Sequence, residues 1–344
     1  MKSERILILV GSICLVLLLV LLPFTMSYAK SGSKKSMLRI SSYSKAGSSY
    51  ALSVGFAAIW KKHLGINYSI QPLGGTTIFA PLIHRGEIDI GNDSGYNLAQ
   101  AYYGRGAFAP DKKGKVNLLL LWGGHYHRYV VWVRADSGIK TLSDLSGKTI
   151  YGYTVGGEVT ELRCDATLEA AGLTKKDVHI LPMPKIKEGI AALIEKKVGA
   201  VFYTFSCNTW MQLDRAVGAR IIGIPPEKAH LFIAKTPMFF SGVIPAGDCG
   251  VIKEDIPSIN WKAFWAISGE LSEDYVYNLV KVFWEHQDEF FPVHPYAKKW
   301  SINHAVDAAT MPFHNGAIKY YKEVGVWTDK AEKLQRRFLA EKRN

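Results

Sequence analysis

Three short turns, at residues 44–49, 74–77 and 154–160, hold the residue types of this sequence best suited to chemistry. Each is rich in Gly, Ser or Thr, follows a strand-like run and opens a helix-like one. The chemistry they support is recognition. A helix N-terminus leaves backbone N–H groups unpaired and carries partial positive charge, so it is a ready place for a carboxylate, phosphate or sulfate. The candidate binding residues are therefore Ser44, Lys45, Gly47 and Ser48 in the first turn, Gly74, Gly75 and Thr76 in the second, and Gly157, Glu158 and Thr160 in the third. Lys45 is a cation placed to meet an anionic ligand. Glu158 suits a helix start and could also receive a ligand cation or pair with Lys45 on closure. Tyr43, Tyr50, Tyr126, Tyr151, Tyr153, Tyr203 and Phe205 stand near the turns and could wall a pocket.

Catalytic patterns are missing: there is no G-x-S-x-G elbow, H-E-x-x-H pair or Walker loop. His125 and His127 are two apart, so a strand would put them on one face as a metal pair requires, but no third ligand is identifiable. No enzyme activity and no cofactor are expected.

The elements that must carry the turns alternate between strand and helix. A strand at 37–42 leads to a helix with Leu52, Phe56, Ile59 and Trp60 on one face. A second strand at 67–71, a helix through Leu82 and Ile83, and a turn plus strand at 86–91 complete a βαβ rhythm. The theme returns with strands at 129–134, 148–153, 178–181 and 200–203, and helices through Leu162 to Leu168 and at 186–196. The last third starts with a strand at 261–267 and continues as helices at 272–289 and 303–339. A chain of 344 residues suits two α/β lobes.

The net charge of +12 suits anionic ligands or surfaces, but its clusters lie at both ends and no nucleic-acid recognition motif accompanies them. Nucleic-acid binding is not expected. Lys2 and Arg5 precede an apolar run at 6–24, and Ser27 and Ala29 fit a cleavage site. Residues 1–29 thus read as a signal peptide or an uncleaved membrane anchor. Either places the rest in the periplasm or on the extracytoplasmic face. Beyond them Cys164, Cys207 and Cys249 allow one disulfide, which the sequence does not assign, or free thiols.

The run from Val131 to Lys148, with Arg134-Ala135-Asp136-Ser137-Gly138-Ile139-Lys140 at its centre, is followed by Leu168-Glu169-Ala170-Ala171-Gly172-Leu173-Thr174. Gln71-Pro72-Leu73-Gly74-Gly75, Gly86-Glu87-Ile88-Asp89 and Pro312-Phe313-His314-Asn315-Gly316-Ala317 complete the order. Together these resemble the TAXI-type solute receptors of TRAP transporters, from about residue 38 to 326. The resemblance implies a type II periplasmic-binding-protein fold. This is an α/β clamp with two lobes, each a mixed, mainly parallel sheet flanked by helices. Lobe 1 would take 38–134 plus 258–344, and lobe 2 would take 135–257. It adds as ligand-contact positions Tyr50, which stays close to the family's first turn, and Asn92, Asp93, Ser94, Tyr203 and Ser206, where the chain departs from the family's wording. It implies capture of a small carboxylate or amino acid and delivery to TRAP membrane subunits, with a monomeric receptor. One cation at Lys45 and one anion at Glu158 would suit a zwitterion. A binding protein of an ABC importer, a tethered ligand sensor and a secreted α/β enzyme with a cleft metal at His125 and His127 are the alternatives.

Overall fold

The structure, a computed structural model, describes residues 35–43, 45, 47–110, 114–154 and 158–343. Buried Leu38 and Ile40 alternate with more exposed neighbours and make Met37–Ser42 strand β1. Helix α1 (Ser48–Leu64) buries Leu52, Phe56, Ile59 and Trp60. Strand β2 (Asn67–Pro72) and helix α2 (Thr76–His84) follow, then β3 (Ile90–Ser94) and α3 (Gly95–Tyr103). Strands β2 and β3 flank β1, both in parallel.

Strand β4 (Leu118–Arg134) is 17 residues long. It leads to β5 (Thr149–Thr154), α4 (Glu158–Ala170), β6 (His179–Met183), α5 (Ile186–Ile194) and β7 (Ala200–Thr204). Helix α6 (Cys207–Val217), β8 (Ala219–Ile222), α7 (Ala229–Lys235) and β9 (Phe240–Ile244) come next. Strand β10 (Ile256–Ser268) returns, and α8 (Glu273–Glu285), α9 (Gln287–Phe290), α10 (Asn315–Glu323) and α11 (Asp329–Arg343) finish the chain.

The sheet order is β2-β1-β3-β10-β4-β7-β5-β6, with β8 on β4 and β9 on β10. The β5 pairings with β6 and β7 are parallel, while β4 and β10 run antiparallel to each other. These two strands tie the lobes together. Their ends at Leu118–Trp122 and Phe264–Ile267 enter a core with Phe56, Trp60 and Phe283. In that core Trp122 stacks on Phe283 at 4.6 Å, and Phe56 meets Trp122 edge-on at 5.4 Å. Each such ring contributes roughly 1.5–3 kcal/mol by leaving water. The other end of β4 alternates across the second lobe. Tyr129, Val131 and Val133 face one core, and Val130 and Trp132 face another.

Between the cores the β4–β10 ladder shifts register at Lys262/Phe264. Gly123 and Gly124 permit the close approach there. A Cβ at Gly123 would sit 2.9 Å from Phe264, and one at Gly124 would sit 2.9 Å from Trp265. Strand β4 thus starts well before the β-prone run expected from 129, and β10 starts before the expected 261. Elements α3, α6, α7, β8 and β9 are additional to those expected. The helix expected over 272–289 is broken between Glu285 and Gln287.

Cys207 and Cys249 form a disulfide with Cα atoms 5.4 Å apart, and Cys164 is a buried free thiol. Residues 1–29 lie outside the described residues. Among those described, no helix is long and apolar enough to cross a membrane.

Candidate ligand-binding site

A cavity of about 610 Å³ opens where the βα turns of the first lobe face α4 and β7 of the second, with Trp261 of β10 between them. On the lobe-1 side, β3 delivers Asp93 into the starts of α2 and α3. The Thr76 backbone N–H and hydroxyl donate to Asp93 Oδ2 at 2.8 and 2.7 Å. The Ser94 N–H and Asn97 Nδ2 donate to Oδ1 at 2.6 and 3.0 Å. Ser94 also caps α3, accepting from the Asn97 N–H. The Tyr43 hydroxyl hydrogen-bonds the same carboxylate. Burial, then the Asp93 charge and that bond, push the phenol well above its ordinary value. Gly75 makes room, since a Cβ there would lie 3.1 Å from Asp93 and 3.2 Å from the Tyr43 hydroxyl. Asp93 is 4% exposed, and among the described residues no Lys, Arg or His pairs with it. Its charge is met by hydrogen-bond donors and two helix starts.

On the lobe-2 side, α4 presents Val159, Thr160 and Arg163. Arg163 is 6% exposed. Its guanidinium lies over the Tyr129 ring at 4.9 Å. Tyr129 is fixed from behind by Thr167, whose Oγ1 lies 3.0 Å from the phenol oxygen and donates to the Arg163 carbonyl at 2.8 Å. Burial pushes the guanidinium pKa down, and nearby Tyr129 and Tyr203 only partly oppose it. Among the described residues Arg163 has no carboxylate partner, and its buried Nε has no acceptor. The indole Nε1 of Trp261 is also buried without an acceptor, while its ring stacks on His127 at 4.1 Å. Other indoles lack acceptors too, among them Trp122, Trp132 and Trp210, but none of those lines the cavity. Phe108, Met238 and the Tyr43 and Tyr203 rings supply the apolar remainder.

The NMT1-like family model matches residues 40–325. The chain belongs to the NMT1-like family. PhnD1 from Prochlorococcus marinus, solved in complex with methylphosphonate, resembles this NMT1-like chain with a TM-score of 0.52 at 11% identity, over 85% of this chain and 97% of that one. The periplasmic aliphatic sulphonate binding protein SsuA from Escherichia coli matches with a TM-score of 0.45 at 14% identity, over 89% of this chain and 86% of that one. The fold of the NMT1-like chain is thus the two-lobed periplasmic-binding-protein fold.

Of the positions singled out in the sequence, Gly75, Thr76, Asp93, Ser94, Thr160 and Tyr203 line the cavity of the NMT1-like chain. Gly47, Ser48, Tyr50, Gly74, Asn92 and Ser206 do not; Ser206 instead caps α6. Lys45 is exposed and away from the lining, in a turn where its ammonium keeps its hydration. Ser44, Gly157 and the Glu158 side chain lie outside the described residues, although Glu158 opens α4. The zwitterion reading thus rests on a lysine outside this lining and on a Glu158 side chain outside the described residues. Arg163 was overlooked, although the sequence carried a signal. It sits four residues after Val159 and four before Thr167, so a cation falls on the inward stripe of the helix. Asn97 and Gln100 carried none because α3 was not expected, Phe108 and Met238 because they lie in connecting segments, and Trp261 because a strand start does not show which way its ring faces.

His125 and His127 do share a face, with ring centroids 4.5 Å apart, but both are packing groups. The Trp300 indole donates to His125 Nδ1 at 3.3 Å, and burial drives both imidazoles below the ordinary 6.5, His127 to about 4. No third metal ligand joins them among the described residues. His63, His286 and Glu289 bring their ligand atoms within 4.8 Å of one another. The two rings there are stacked face to face at 3.6 Å, so their in-plane lone pairs do not converge on one ion, and Lys62 already pairs with Glu289 at 2.8 Å.

Proposed function

We propose that this NMT1-like protein is an extracytoplasmic solute-binding protein: it captures a small molecule between its lobes and hands it to a membrane importer. The observation that carries this reading is the 610 Å³ cavity, lined from both lobes at the point where only β4 and β10 connect them. Two crossing strands with a register shift are a hinge, and hinge closure would bury a ligand. The described lining residues are donors, acceptors and apolar groups suited to holding a solute. The lobes expected from the sequence, 38–134 plus 258–344 and 135–257, are proposed with one shift: the end of β4 from Tyr129 packs in the second lobe's cores.

For the importer, an ABC-type permease stands ahead of the TRAP type. The stretches that resemble TAXI receptors, such as 131–148, belong to the scaffold. The ligand turns at 42–50, 92–94 and 202–208 lack that group's wording. Solute-driven uptake in proteoliposomes separates the two: ATP dependence supports the ABC reading, and dependence on an ion gradient supports TRAP. Solute capture itself is tested by thermal-shift screening with small-angle scattering. A binding solute raises the melting temperature by mass action and reduces the radius of gyration. A broad panel of carboxylates, sulfonates, phosphonates, amino acids and sugars that does neither contradicts the proposal.

A further inference from the structure

We infer that the ligand is an organic anion whose head group lies on Arg163 and Trp261 in lobe 2, and that the cavity discriminates against a cationic amine on the same molecule. This rests on the solute-binding reading above and adds the charge and placement of the solute.

The two ends of the cavity differ in what they have left to offer. Asp93 is the one carboxylate among the described lining residues. Its oxygens already take the Thr76 N–H and hydroxyl, the Ser94 N–H and the Asn97 amide, with the Tyr43 hydroxyl in addition. A ligand ammonium would have to displace these donors, and the backbone N–H groups among them would then be buried without partners. The helix starts of α2 and α3, natural places for a ligand anion, are taken up by the protein's own carboxylate. The lobe-1 end therefore offers no open helix start for an anion and, among the described residues, no uncommitted carboxylate for an amine.

The lobe-2 end is the reverse. Arg163 is 94% buried and, among the described residues, has no ion pair and leaves its Nε donor unused. A buried charge without a partner is costly. The Tyr129 ring beneath it is held by Thr167, so the guanidinium is positioned rather than loosely stacked. Trp261 adds a second unused buried donor on the same lining. A planar guanidinium fork and an indole N–H match the oxygens of a carboxylate, sulfonate or phosphonate. The rest of the described lining carries no charge, with Phe108, Met238 and Val159 apolar and Asn97, Gln100 and Thr204 polar, and so suits an uncharged body.

The test is calorimetric titration of the mature chain with matched probes that differ by an amine. The pairs are 3-phenylpropionate against phenylalanine, ethanesulfonate against taurine, and methylphosphonate against aminomethylphosphonate. The expected result is that at least one acid binds at least tenfold tighter than its amine-bearing partner. The pair that responds names the head group. Arg163→Met should remove that binding by a hundredfold or more while its ligand-free melting temperature stays at or above that of the parent. Arg163→Lys should recover part of the affinity. The inference is overturned if no acid binds, if the amine partner binds as tightly, or if Arg163→Met keeps the affinity. Should an amino acid or sugar bind and compact the protein, solute capture stands and the charge assignment falls. Should no solute compact it, both fall.

Discussion

The lobe-1 wall of the cavity holds a carboxylate with donors on both oxygens, and the lobe-2 wall holds a guanidinium that donates to nothing among the described residues. Both groups are more than nine-tenths buried. Asp93 has become part of the framework, since it fixes two helix starts to one strand. Arg163 is left with an interaction that none of the described residues completes. Burial of a charge therefore does not mark a binding residue; the state of its partners does.

The largest expected effect concerns what keeps the lobe-2 wall in place. The Cys207–Cys249 bridge spans 42 residues of sequence, and chain-entropy arguments assign such a loop roughly 4 kcal/mol. A Cys207→Ser/Cys249→Ser variant should lose about that much in denaturant titration. Ligand binding should weaken with it if lobe 2 opens first. An unchanged midpoint would mean that lobe 2 needs no such support.

Two histidines sharpen the comparison next. His127, in β4 beside the lobe-2 wall, and His314, at the start of α10, are both held down to about 4. For His127 the causes are burial and then the charges of Arg163 and Arg128; for His314 the cause is burial, opposed by a bond to the Leu271 carbonyl. Above pH 6.5 both are neutral folded and unfolded, so they leave stability unchanged. As pH falls from 6.5 towards 4, only the unfolded chain gains the proton, and each histidine lowers stability by about 1.4 kcal/mol per pH unit. Melting curves across that window should show the loss. Arg163→Met, or an anion bound on Arg163, should raise the His127 pKa and leave His314 unmoved, as read by NMR titration. Equal movement of both would break the assignment of Arg163 to the lobe-2 wall.

The smallest effect is expected at Trp261. Trp261→Phe keeps the stack on His127 but removes one neutral donor, so affinity for the anion should fall about three- to tenfold, or about 1 kcal/mol. A quench or shift of Trp261 emission on binding would report the same contact directly.

The sequence made the frame legible because strand and helix periods differ. Leu38 and Ile40 alternate, while Leu52, Phe56, Ile59 and Trp60 recur along one helix face. Of the Gly, Ser and Thr turns, Gly75, Thr76 and Thr160 line the cavity. What could not be read was which charge faces inward. Lys45 and Arg163 look alike in sequence, and only the packing of Tyr129 and Thr167 around α4 separates a solvated ammonium from a buried guanidinium. The meeting of β4 and β10 was hidden for a related reason: the β-prone run starts only at Tyr129, and the close approach at Gly123 and Gly124 emerges only in the fold. The disulfide needed the fold to choose among three thiols.

The asymmetry of the two walls can be tested without any ligand, by comparing the unfolding midpoints of ligand-free Arg163→Met and Asp93→Asn. Arg163→Met removes an unpaired buried charge and should match or exceed the parent. Asp93→Asn puts an amide where donors converge and should fall below it by about 2–4 kcal/mol. If Arg163→Met instead loses as much stability as Asp93→Asn, the guanidinium is part of the framework too, and lobe 2 holds no charge in reserve for a solute.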